Sequence, residues 1–175
     1  MRIFTADLLE RYRSADPGVA QAAEAEWEEA LARYEQHAQA LEAGLPPQLR
    51  EFAGLLLHDA VLQSMGREGG RLIMVLRKDI PPRDLVILSY QLEDEPVLVP
   101  FVGQPREWRL PARFDFDELE RREAGPRPLY GQSIVFDNGW ELRLGFRDVQ
   151  VTQAAPWSPV NGLLPQTSPA VSQTP

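Results

Sequence analysis

Hydrophobic positions along this chain change period once, and that change divides it into two parts. Between Pro17 and Ala43 the residues Val19, Ala23, Trp27, Leu31, Tyr34, Ala38 and Leu41 recur at steps of three and four, with Glu24, Glu28, Glu35 and Glu42 off that stripe. This spacing predicts one long amphipathic helix. Asp16 before Pro17 supplies its start, and Gly44 with Pro46-Pro47 its stop. A shorter helix precedes it, with Thr5 as N-cap and Leu8, Leu9 and Tyr12 facing inward.

Beyond "PPQLREFAG", a brief helical turn carrying Leu49 and Phe52, the run "LLLHDAVLQSM" (Leu55–Met65) fits either helix or strand. "GREGG" and the strand-forming "RLIMVLRKD" that follow favour a β-hairpin with well-buried arms. A third arm, "LVILSYQL" (Leu85–Leu92), extends it to an antiparallel meander, and "VLVPFVG" adds a short strand. "FDFDELERRE" reads as a helical turn in a charged, proline-bearing stretch. The Asp137-Asn138-Gly139 triplet predicts a hairpin with a two-residue turn. Trp140, Leu142, Leu144 and Phe146 alternate behind it, and Val149 and Val151 form a last short strand.

The expected architecture is α+β: an N-terminal long helix packed on a mainly antiparallel β-sheet, a meander plus a C-terminal hairpin. Residues 1–152 form a single domain. From residue 153 the composition turns to Pro, Ser, Thr and Gln, and 153–175 should be a disordered, Pro-rich tail in which Trp157, Leu163 and Leu164 could only dock transiently.

Charge and composition narrow the function classes. The net charge is −8 over 175 residues, and such a negative field repels phosphate backbones, so nucleic acid is not an expected partner. No apolar run reaches the ~20 residues of a membrane span, and no signal peptide is recognisable, so the expectation is a cytoplasmic protein without membrane association. Without cysteine there is no thiolate nucleophile and no cysteine-bound metal. Arginine supplies nearly all the positive charge, Lys78 being the lone lysine, and this fits codon usage in a GC-rich genome. Arg71, Arg77 and Arg143 could form a small anion-binding face, although arginines on strands are more often solubility devices. Trp108 and Trp140 could contact a ligand, although such aromatics more often fill a core.

His58 and Asp59 are the candidate functional polar pair. A His-Asp phosphohydrolase centre needs several histidines, and this chain has two, the other being His37 on the long helix. No metal site and no cofactor are expected, and "EDE" (93–95) and "DFDELE" (115–120) lack the ligand spacing of a calcium loop. In the strand reading His58 and Asp59 point to opposite faces. A buried Asp59 would then need an arginine, a backbone amide or a histidine as partner. The pair would serve either to fix strand register or as a proton acceptor at a pocket mouth. No catalytic residue is otherwise recognisable: the chain has no Gly-x-Ser-x-Gly elbow, phosphate loop or dinucleotide fingerprint.

Phe4-Thr5, Trp27 and Tyr34, His58-Asp59, and Phe146-Arg147-Asp148 occur in an order that resembles an uncharacterised family of small bacterial proteins, a domain of unknown function, over residues 1–152. The resemblance implies a fold and a bacterial origin and carries no activity. The expected role is a non-enzymatic binding or protein-interaction module, immunity- or inhibitor-like, with another protein as partner. The alternative is a small ligand-binding protein or enzyme using His58 and Asp59.

Overall fold

A computed structural model describes residues 3–81, 83–103, 105–122 and 127–154; the first two residues of the expected tail, Gln153 and Ala154, are instead the end of a strand paired with Val86 and Leu85, and the rest, with Trp157, Leu163 and Leu164, lies outside the described residues. The elements are α1 (Ala6–Tyr12), α2 (Pro17–Glu42), α3 (Pro47–Ala53), β1 (Val61–Glu68), β2 (Arg71–Arg77), β3 (Leu85–Leu92), β4 (Val97–Pro100), β5 (Ala112–Arg122), β6 (Leu129–Phe136) and β7 (Trp140–Ala154). The fold is α+β, with the long N-terminal helix and an antiparallel sheet of seven strands.

The strands run β3-β2-β1-β5-β6-β7-β4, and β7 also pairs with β3. Six strands therefore close on themselves. The closure depends on the 15-residue length of β7. Its first half serves β6 and β4, through Arg143 opposite both Ser133 and Val97. Its second half pairs with β3 from Phe146 to Ala154. The separate strand expected at Val149 and Val151 is thus the end of β7, because the ladder to β3 passes through both residues.

Alternation sets the interior. Leu72, Met74 and Leu76 of β2, Val86, Leu88 and Tyr90 of β3, and Leu142, Leu144 and Phe146 of β7 are all buried in one core. Helix α3 adds Leu49 and Phe52 to it. The Phe52 ring meets Tyr90 at 5.8 Å and Phe146 at 6.2 Å, both edge-on. Burying a side chain of this size stabilises by about 1.5–3 kcal/mol. Outside β5 lies a second layer, in which Phe4, Leu8, Ala23 and Ala30 are buried with Trp27, Tyr34 and Phe116 packed against them. Alanine at 23 and 30 lets the α2 backbone come close to its neighbours. The predicted stripe on α2 is wider than the buried one: Val19 and Leu31 are 40% and 42% exposed.

The caps are as the sequence predicts. Thr5 Oγ1 accepts from Leu8 N at 3.2 Å, and Asp16 Oδ1 accepts from Gly18 N at 2.8 Å. Three expectations require correction. "FDFDELERRE" is not a helical turn: up to Arg122 it forms most of β5, and three of its acids find partners that hold them in strand, Asp115 taking Arg13, Asp117 taking Gln132, and Glu118 the amides of Ile3 and Phe4. The 137–139 reversal is a three-residue loop, with Gly139 N bonded to Phe136 O at 2.9 Å and Gly139 at φ +84. A Cβ there would also lie 2.6 Å from Val102 Cγ2, so glycine is required twice over. Finally, β1 begins at Val61, not Leu55, and His58 and Asp59 sit in a turn before it.

Candidate functional site

The site follows from an incomplete seam. Strands β1 and β5 pair only at Val61 with Arg113 and Leu62 with Ala112, extended by Asp59 N to Phe114 O at 3.0 Å and Phe114 N to Ala60 O at 2.9 Å. Past this point β1 leaves with β2, and backbone carbonyls of β5 need other donors. Both histidines of the chain supply them. His58 Nδ1 bonds Asp115 O, and His37 Nε2 bonds Leu119 O at 2.9 Å. A carbonyl only accepts, so each of these ring nitrogens carries the proton.

The doublet is therefore neither buried nor split across a sheet. Asp59 has φ +64, a left-handed conformation that aspartate tolerates better than most residues. This turn buries Leu57 and Ala60 and leaves Leu56 77% exposed. Asp59 lies 3.7 Å from Arg113 and 3.4 Å from His58 Nε2, the latter an ion pair only when the ring is doubly protonated. Arginine and histidine were the expected types of partner. Their setting is solvent rather than core, and exposed pairs of this kind contribute about 0–1 kcal/mol.

Where the seam opens, α2 and the 54–60 loop enclose a groove of about 430 Å³. Trp27, Leu31 and Tyr34 form one wall, Leu55, Leu56 and His58 the other, and Phe116 and Asp117 lie between them on β5. Of the expected pair only His58 reaches the groove; Asp59 does not line it. The residue that sequence reasoning missed is Asp117.

Asp117 is tied to the barrel interior. Gln132 donates from Nε2 to Asp117 Oδ2 at 2.7 Å and accepts from the Tyr90 hydroxyl at 2.8 Å. Gln132 and Tyr90 are 2% and 0% exposed, so a polar chain runs from the core to the groove. Burial pushes the Asp117 carboxyl above the usual carboxylate range, opposed by the bond from Gln132. Burial also raises the Tyr34 hydroxyl, helped by the charges of Asp117 and Glu118, so the phenol stays protonated at neutral pH. The run "FDFDE" carries no clean signal for Asp117, since Glu118 follows it directly and a bulge between Phe114 and Phe116 breaks the alternation.

Among the described residues no group of histidine and acidic side chains could hold a metal ion, and no helix is long and apolar enough to cross a membrane. No protein-family model matches the sequence, and comparison with curated proteins finds no match.

Proposed function

We propose that this is a non-enzymatic binding module of the bacterial cytoplasm whose partner is a basic protein, and that the groove receives a lysine or arginine side chain of that partner. The observation that carries this reading is a carboxyl, Asp117, set among the aromatic residues Trp27, Tyr34 and Phe116. Aromatic faces attract cations, by about 0.5–1 kcal/mol at exposed sites and about 2 kcal/mol when water is excluded. The apolar walls suit the methylene stem of such a side chain. A cation arriving beside Asp117 opposes the burial that raises its carboxyl and favours the ionised, paired form. The net charge of −8 steers a basic partner toward this protein.

The test is calorimetric titration of a lysine-rich peptide into the protein and into Asp117→Asn. Loss of at least about tenfold in affinity for the variant supports the proposal. Equal affinity for both proteins contradicts it.

The volume of the groove and His58 at its rim favour a second reading, a small cationic ligand in place of a protein. A free alkylammonium that binds as tightly as the peptide would select it.

A further inference from the structure

A second concavity, of about 480 Å³, lies on the other side of α2 and gathers positive charge in an acidic protein. Arg33 and His37 of α2 face Arg122 of β5, Ser133 of β6 and Arg143 of β7 across it. Arg33 is two residues from Leu31, which lines the first groove, and so points about 200° around the helix axis from it. The two sites share α2 but not an opening.

The floor is the outer face of the barrel. Glu118, Ser133 and Arg143 stand opposite one another across three strands, and Gly131 opposite Gly145 occupies the next row. Having no side chain, Gly131 lets the Arg122 guanidinium lie against the sheet; a Cβ there would be 2.7 Å from Arg122 Nη2.

The acids of the lining are already engaged. Glu118 accepts from the amides of Ile3 and Phe4 at 3.0 and 2.7 Å, and Glu120 accepts from Arg122 Nε at 2.6 Å. Arg143 gives Nη2 to the fully buried Glu141 at 3.0 Å, which fixes its orientation while its side chain remains 47% exposed. Arg33 donates only from Nε, to Glu29 O at 3.4 Å, so among the described residues its terminal nitrogens are unpartnered. Three guanidinium groups from three elements thus border one concavity, Arg122 already held by Glu120, with the Ser133 hydroxyl on the floor. Forks of N–H donors in this arrangement match the oxygens of a carboxylate or phosphate.

We infer that this pocket binds a small oxyanion, a carboxylate or phosphate group, held by Arg33 and Arg143 with the Ser133 hydroxyl as a third donor. The inference is independent of the cation groove, and the readout is separate. Inorganic phosphate and succinate are titrated into the full chain by calorimetry at low ionic strength. The expected result is saturable binding of at least one of them, weakened about tenfold or more in Arg33→Gln and less in Ser133→Ala. Arg33 is exposed, so its variant should melt as the parent does, whereas Arg143 replacements would remove a partner of the buried Glu141 carboxylate. Saturation by phosphate alone assigns a phosphate ester, by succinate alone a carboxylate, and by both the shared oxyanion chemistry. Absence of saturable binding for either probe, or unchanged affinity in Arg33→Gln, overturns the proposal.

Discussion

The Gln132 amide joins the Tyr90 hydroxyl in the barrel core to the Asp117 carboxyl at the groove, with 2.8 Å on one side and 2.7 Å on the other. Because Gln132 donates to Asp117 and accepts from Tyr90, its orientation is fixed and its loss disturbs both neighbours. Replacing Gln132 by leucine should cost about 1–3 kcal/mol for each polar group left unpaired. Tyr90→Phe removes one end of the chain alone and should cost less. Urea unfolding of the two variants checks this; equal losses would show that Gln132 supports nothing at Asp117.

Asp117 should also mark the pH dependence of stability. Its folded carboxyl titrates above the ordinary value of 3.8, so its favourable contribution is complete below that pH and is lost as pH rises through the folded value. Asp117→Asn keeps an oxygen for Gln132 and cannot ionise. The stability of the variant relative to the parent should therefore increase with pH from about 4 upward. Parallel urea titrations along a pH series measure the gap, and a constant gap would contradict the assignment.

At Asp59 the backbone conformation should matter more than the charge. Its φ of +64 costs an ordinary side chain about 1–2 kcal/mol that glycine does not incur. Asp59→Gly should accordingly be more stable than Asp59→Ala by about 1 kcal/mol. Thermal or urea melts of the two variants decide it; an alanine variant as stable as the glycine one would mean that the turn relaxes.

The histidines bracket the open seam, and their removal should be felt as lost hydrogen bonds. His37→Ala and His58→Ala should each cost about 0.5–1.5 kcal/mol, with amide exchange in β5 accelerating near Leu119 and Asp115 respectively. Exchange unchanged in both variants would show that these carbonyls find other donors.

The sequence made the helices and most strands legible because their periods are clean. Trp27 and Tyr34 fall on the predicted face of α2, and Val86, Leu88 and Tyr90 on one face of β3. Closure of the sheet was not legible, since it depends on β7 pairing with β3, whose Leu88 meets Val151 far along the chain. The His58-Asp59 doublet misled for a local reason. Leu55, Leu56 and Leu57 read as a buried strand, yet a left-handed Asp59 exposes Leu56 and turns the chain. Asp117 was hidden by its surroundings, because acids in "FDFDELE" read as solvated charge until Gln132, fifteen residues on, is seen to hold one of them.

The central claim is that a partner's cation pairs with Asp117 and so lowers the pH at which its carboxyl gives up its proton. The direct measurement is calorimetric titration of a lysine-rich peptide in buffers of different ionisation enthalpy, which counts the protons exchanged on binding. Proton release by the parent at acid pH, falling as pH rises and absent in Asp117→Asn, is the predicted result. Binding that releases no proton at any pH of the series from about 4 upward, or equal release from Asp117→Asn, would contradict it.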